Sequence, residues 1–311
     1  MSSVPASESA DAGARSAAWA AVAAYLMWGL FPLYLKQLAA VPAWEVVAHR
    51  SAWSLLVVWA ALLALRRWAW VGQLRRQPRT LAIFMLSALL LSCNWLLYVW
   101  AVANGRVLEA SLGYFINPLF NVLLGFLVLR ERPSPVQWTA LGLAAAGVLW
   151  MALGAGQAPW VALTLAASFG LYGLLRKTAP LAALEGLALE TSLLAPVAIA
   201  YLVYLSVLGQ GHFAQGDAGL NGWLLAAGPL TALPLLLFAH GARRVSMATL
   251  GLLQYISPTT QLLLGIWLFH EPFDARRGLG FVLIWAGLLL YSAESWRQVR
   301  QVRQLRQSRQ R

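Results

Sequence analysis

EASLGYFINPLFNVLLGFLVLRE at residues 109–131 and TLGLLQYISPTTQLLLGIWLFHE at residues 249–271 are one pattern written twice. Aligned on their prolines, Pro118 meets Pro258, Gly125 meets Gly265 and Glu131 meets Glu271, at a constant offset of 140. Both copies are apolar enough to be membrane helices. They are the fourth and ninth of the spans predicted below, five apart, so they cross the bilayer in opposite senses. An odd-numbered helical unit repeated upside down, with a proline-interrupted helix in each copy, is the pattern of secondary transporters.

The rest of the chain fits. Of 311 residues, 60% are hydrophobic and 11% charged, and the mean hydropathy is +0.65. A soluble domain carries about 25% charge. At about 20 apolar residues per crossing, ten spans are predicted, at 17–36, 44–65, 80–102, 107–129, 136–154, 159–175, 185–208, 222–241, 246–269 and 276–293. The expected fold is therefore an all-α membrane protein of ten transmembrane helices, arranged as two inverted five-helix repeats around a central cavity. The first repeat covers 17–154 and the second 159–293, with a seam near Gly154–Pro159. Further parallels support the duplication: WGLFPLYLK (28–36) with FGLYGLLRK (169–177), AWEVVAHR (43–50) with ALEGLALE (183–190), GRVLEASLG (105–113) with RRVSMATLG (243–251), and Gly147 with Gly287.

A net charge of +12 suggests nucleic acid as a partner, but the distribution argues against it. Arg66, Arg67, Arg75, Arg76, Arg79, Arg130, Arg132, Arg176, Lys177, Arg243 and Arg244 fall in loops on one side, and the tail at 294–311 adds more arginines. The other side holds Lys36, Arg106, Arg276 and Arg277. This positive-inside bias predicts an inner (plasma) membrane protein with both termini cytoplasmic. Residues 1–16 read as a disordered tail without the basic start of a signal peptide. The basic tail either lies on anionic headgroups or is a solvated charge run that only fixes topology. Cys93 is the single cysteine, which excludes an intrachain disulfide and gives no sign of a metal cluster.

The chemistry concentrates in a few positions. Proline removes a backbone donor and clashes with the carbonyl four residues back, so Pro118 and Pro258 should free the carbonyls of Tyr114 and Gln254. In lipid such groups need partners, which turns a broken helix toward protein or a wet cavity. Ser111, Tyr114, Asn117, Asn121 and Gly125 share one face of the fourth span; Gly251, Gln254, Ser257, Gln261 and Gly265 share the equivalent face of the ninth. Two readings stand for these stripes: a midplane solute site, or hydrogen bonds between helices at about 1 kcal/mol each. In the second span, Glu45 and His49 can pair on one face, and Arg50 lies about two turns into the membrane. A buried arginine must face a partner or water. Its repeat mate is Glu190, and four readings stand for these opposite charges: a solute clamp, an ion pair that breaks and reforms between states, a permanent structural pair, or snorkelling to the headgroups. Asn94 sits centrally in the third span, while Glu109 and His240 lie near helix ends. His49, Glu190 and His240 are the candidates for proton coupling. Among 16 tryptophans, Trp44, Trp68, Trp70, Trp138, Trp160 and Trp223 read as an interfacial belt. Trp28, Trp95 and Trp100 lie deeper, where they either stack on a flat solute or simply pack.

The stretch NWLLYVWAVANGRVLEASLGYFINPLFNVLLG (94–125) resembles the RarD branch of the EamA-type drug/metabolite transporter superfamily, as do VPAWEVVAHRSAWS (41–54), YLMWGLFPLYLK (25–36) and LGLLQYISPT (250–259). The resemblance covers essentially all ten spans. It implies a ten-helix inner-membrane carrier with two inverted halves and a central cavity, in a superfamily whose members move amino acids, aromatic compounds, nucleotide sugars and other small metabolites. The expected function is a secondary active permease for a small organic solute, working by alternating access. Its solute-binding residues would be Arg50, Asn94, Tyr114, Asn117, Asn121, Gln254, Gln261 and Trp28. Coupling or gating would fall to His49, Glu190, His240, Pro118 and Pro258. The expected partners are the solute and membrane lipids, with no nucleic acid. The small-residue faces at Gly142, Ala146, Gly147, Gly280 and Gly287 suggest that spans five and ten buttress the cavity or form a homodimer. No GxxxxGK[ST] loop, HExxH motif or nucleophile–base pair is present, so no cofactor, metal, catalytic residue or enzymatic activity is expected. A channel or a non-transporting receptor is the alternative.

Overall fold

The computed structural model describes residues 6–74, 77–104, 107–153, 160–215, 218–268 and 275–308, and every regular element among them is helical. In chain order these are α1 (Ala6–Gln37), α2 (Ala43–Ala64), α3 (Ala69–Leu74), α4 (Pro78–Ala103), α5 (Val107–Leu127), α6 (Pro135–Ala152), α7 (Trp160–Thr178), α8 (Ala183–Val207), α9 (Ala218–Ala242), α10 (Met247–Gln254), α11 (Ile256–Trp267) and α12 (Ala275–Ser308). Among the described residues, seven helices are long and apolar enough to cross a membrane: Arg15–Gln37, Ala43–Ala64, Pro78–Ala101, Pro135–Ala152, Ala183–Val207, Ala218–Ala242 and Gly278–Gln298. Gly113–Leu127 of α5 is a shorter apolar helix. The chain is thus a multi-pass membrane protein. The seam expected near Gly154–Pro159 falls outside the described residues.

Local chemistry sets the helix ends. Ser134 and Gln137 form a reciprocal capping box ahead of Pro135, which opens α6. Ser246 accepts from the Thr249 N–H at the start of α10. After α8, Gly209 takes φ +66° and the amides of Gly209 and Gln210 close back onto the carbonyls of Ser206 and Leu205. The same closure ends α2, with Arg66 at φ +52° in the left-handed position where glycine is usual.

The two proline-bearing copies do not fold alike. Pro258 falls just past a break at Tyr255 that divides α10 from α11, whereas α5 runs through Pro118 as one helix. The contacts across the break explain why it holds. The Tyr255 hydroxyl donates to the carbonyl of its repeat mate Phe115 at 3.1 Å. At Gly251 an added Cβ would stand 2.5 Å from the Pro118 carbonyl oxygen, so α10 and α5 touch backbone to backbone.

The sequence repeat pairs α1, α2, α4, α5 and α6 with α7, α8, α9, α10–α11 and α12. Under that exchange the main packing partners map onto one another. α1 packs on α9 as α7 packs on α4, α2 on α9 as α8 on α4, and α5 on α7 as α11 on α1, while α2–α8, α5–α10 and α6–α12 map onto themselves. The α6–α12 contact takes up three of the glycines read as a buttress or a dimer face: a Cβ on Gly147 would lie 2.6 Å from the Gly280 carbonyl, and one on Gly287 would lie 2.5 Å from the Ala140 carbonyl. Gly142 faces open space. Trp44, Trp68, Trp138, Trp160 and Trp223 are exposed, as an interfacial belt requires, but Trp70 is buried at 8% in the largest hydrophobic core. The short helix α3 turns inward against α2 and α4 rather than lying on the surface alone, which corrects the reading of Trp70 as a belt residue.

Candidate functional site

Between α1, α2, α4, α5, α7, α9 and the α10–α11 break lies a cavity of about 440 Å³. It runs from the middle of the helices toward the α1–α2 loop, where Leu38, Ala39 and Val41 line it. Its walls are aromatic: Trp28 and Phe31 from α1, Trp95 and Tyr98 from α4, Tyr114 from α5 and Phe169 from α7. Among the described residues, helices α6, α8 and α12 contribute nothing to its lining.

Arg50 supplies the charge. Its Nε donates to Thr231 Oγ1 at 3.0 Å, which anchors the guanidinium to α9. The Phe31 and Trp95 rings lie over its central carbon at 4.7 and 4.5 Å. Among the described residues, no carboxylate pairs with it and no lining residue is an aspartate, glutamate, lysine or histidine. A guanidinium on the cavity wall, stacked by rings and with no carboxylate partner among the described residues, is a ready site for an anion.

The other residues singled out from sequence divide into three groups. Trp28, Asn94, Tyr114, Gln254, Pro258 and Gln261 join Arg50 on the cavity wall. Some of their polar atoms are already engaged: Asn94 Nδ2 donates to the Leu165 carbonyl and to Ser168 Oγ, and Gln261 Nε2 to the Trp28 carbonyl. Asn117 and Asn121 are buried behind the wall instead, at 2% and 1% exposure. Asn121 Nδ2 donates to Gln254 Oε1 at 3.0 Å, which ties α5 to α10 across the two halves. Pro118 likewise packs against Gly251 rather than the cavity. His49 and His240 lie elsewhere. His49 Nδ1 accepts from Trp53 Nε1, and its ring stacks on that indole. The Glu45 carboxylate approaches His49 Nε2 only to 3.7 Å, because its hydrogen bonds go to His212: 2.7 Å from the amide and 2.8 Å to Nδ1. His240 is half-buried at the opposite end of the bundle, beside Arg244. The side chains of Glu109 and Ser111, and Glu271 as a whole, lie outside the described residues.

Glu190 corrects one expectation. It meets Arg176, not Arg50: Arg176 Nη1 stands 3.6 Å from Glu190 Oε1, and the Ser87 hydroxyl donates to the same oxygen. Both members of the pair are fully enclosed, at 0% and 2% exposure. Arg176, read from sequence as a loop charge, is among the largest buried side chains in the molecule. Its Nη2 donates to the Ala183 carbonyl, and Phe84 packs beneath its guanidinium. Nearby, Lys177 donates to the Val245 and Ala242 carbonyls, and Arg243 to those of Ala179 and Leu181. The Glu131 carboxylate accepts from the Met247 and Ala248 amides, holding the N-terminus of α10. Between these groups and the cavity, Tyr25, Phe169, Tyr172 and Phe238 pack ring to ring. The bundle is therefore plugged at the end bearing the α7–α8 and α9–α10 loops.

Sequence reasoning missed Thr231, Tyr98, Phe31 and Phe169. A threonine or phenylalanine in an apolar helix gives no local signal; only the hydrophobic periodicity of α4, which sets Leu91, Asn94, Trp95 and Tyr98 on one face, pointed at part of this set.

Comparison with known proteins places the chain. Residues 15–153 match the EamA-like transporter family. Protein RarD of Streptomyces exfoliatus is 47% identical over 274 residues, spanning 88% of this chain and 87% of that one. An uncharacterized transporter of Pseudomonas aeruginosa is 46% identical over 276 residues, spanning 89% of this chain and 93% of its own length. A solved crystal structure that is 19% identical superposes with a TM-score of 0.66 over 89% of this chain and 98% of the other, a likeness of fold alone.

Proposed function

The chain belongs to the RarD-type EamA-like transporters, and from that premise we propose that it is a secondary carrier for a small organic solute, cycling the solute between the two sides of the inner membrane by alternating access. The observation that carries this reading is the cavity itself: a hollow of about 440 Å³ with walls drawn from both halves of the chain, one side-chain cation among its described lining residues, and a plug at one end. Pockets of this size hold small ligands. The exchange of packing partners between the halves supports ten crossings in two inverted repeats. In that arrangement a rocking of one half against the other opens each end in turn.

The arginine-rich loops assign the plugged end to the cytoplasm. The described conformation is then the outward-facing one. Arg176–Glu190, Lys177 and Arg243 hold the inner gate, and the Glu131 cap fastens α10 to it. Inward opening must break or carry these contacts, which supports a gating role for Glu190 rather than one in solute binding.

Purified protein in proteoliposomes tests the reading by counterflow. Unlabelled solute on the far side should accelerate entry of labelled solute, because a loaded carrier returns faster than an empty one. Entry that ignores the far side identifies a channel and overturns the proposal.

A further inference from the structure

The cavity's chemistry narrows the solute. Arg50 spends only Nε on the protein; among the described residues nothing accepts from its two terminal nitrogens. That edge of a guanidinium matches the two oxygens of a carboxylate, bidentate and coplanar. A cation has no counter-charge to meet here, since no carboxylate among the described residues lines the hollow. For the same reason the ammonium of a zwitterion would lose its water without gaining a counter-ion, a cost that a buried charge does not recover from aromatic faces alone. Gln254 adds to the bias. Its Oε1 already accepts from Asn121, while nothing among the described residues accepts from its N–H groups. The rest of the wall mixes aliphatic side chains with rings, and the rings of Trp28, Trp95, Tyr98 and Tyr114 offer faces that receive a planar arene with little loss of solute freedom.

Resting on the carrier reading above, we propose that the transported solute is a small aromatic monocarboxylate, bound as the anion, with its carboxylate on the terminal nitrogens of Arg50 and its ring among Trp28, Trp95 and Tyr98. Thr231 is a positioning residue: it fixes the plane in which the guanidinium presents its edge.

Four probes of one shape separate the charge states: 3-phenylpropionate, its neutral amide 3-phenylpropionamide, phenylalanine and 2-phenylethylamine. Binding is read by thermal shift and by titration of the purified protein, and transport by counterflow. The acid should bind at least about tenfold tighter than the amide, as a charge-assisted hydrogen-bonded pair implies, and tighter than the other two. Arg50→Gln should bring acid and amide to equal affinity while the protein keeps its melting temperature without ligand. Arg50→Lys, which keeps the charge and loses the fork, should keep part of the preference, and this reading stands even where the glutamine variant fails to fold. Thr231→Val should weaken the acid and leave the amide unchanged. An amide, phenylalanine or amine that binds as well as the acid overturns the anion assignment, as does the binding of no probe at all. Trans-accelerated movement of one of the other probes would leave the carrier standing while the anion assignment falls. Tight, Arg50-dependent binding of the acid without trans-acceleration would leave the anion site standing while the carrier reading falls.

Discussion

At the scale of single residues, two arginines have opposite fates. Arg50 sits inside a predicted span and Arg176 at the edge of one. Arg176 is the one neutralised by a carboxylate, at 2% exposure, while Arg50 is left to the cavity. The difference follows from what each meets across the bundle. The face of α8 brings Glu190 to Arg176, and that of α9 brings only a threonine to Arg50. Removing one partner of a buried pair strands the other charge, at a cost of about 3–5 kcal/mol. Glu190→Gln should therefore lower thermal stability in detergent strongly. The Glu190→Gln/Arg176→Gln double variant should cost less than the sum of the two singles; strict additivity would show that the pair is uncoupled. By contrast, Asn121→Ala should cost only about 1 kcal/mol, the worth of one interhelical bond in a membrane protein, because Gln254 can turn to the cavity.

Among the elements, the α6–α12 pair shows how small residues decide what a helix can touch. Gly287 admits the Ala140 carbonyl into the space that its own side chain would fill. Gly287→Ala must push two backbones apart, and a loss of about 1–3 kcal/mol is expected from overpacking of this kind. Gly142, on the same α6 but facing open space, makes the control. Gly142→Ala should be neutral or stabilising by up to about 1 kcal/mol, since alanine favours the helix. Equal losses at both positions would show that Gly142 is also covered, as it would be at a subunit interface. The unlike shapes of α5 and α10–α11 belong at this scale too. Both carry proline at the same register, yet only the second copy divides. Proline sets where a helix can yield, and the neighbours that take up the freed groups decide whether it does.

For the molecule as a whole, the cavity and the plug predict unequal access from the two sides. In a Cys93→Ser background, Ala39→Cys at the cavity mouth and Arg244→Cys at the plugged end are both exposed positions. A membrane-impermeant maleimide should modify Ala39→Cys from outside cells and Arg244→Cys only after the inner face is opened to it. Modification of both from the same side would sink the orientation assigned by the loop arginines. Saturating solute should change the rate at Ala39→Cys as the carrier is drawn through its cycle. An unchanged rate would mean that the bound hollow does not alternate.

What the sequence by itself determined is what local pattern can carry. Hydropathy marks the membrane class and the apolar helices, because each crossing must hide its backbone within its own span. The offset of 140 points to a duplication, and the family resemblance follows from the same stretches. A charge or amide in an apolar run is conspicuous, so Arg50, Asn94, Gln254 and Gln261 were visible as polar groups needing partners. Only the tertiary structure decided what those partners are. Arg176 and Glu190 are close in sequence but lie on different helices, and Arg50 and Thr231 are 181 residues apart. Asn121 and Gln254 meet across 133 residues, and Trp70 disappears into a core that its own short helix gives no sign of. Hydrophobic periodicity says that a face is buried; it does not say against which helix. In lipid, where apolar helices do not discriminate strongly among one another, close glycine contacts and a few interhelical hydrogen bonds make that choice.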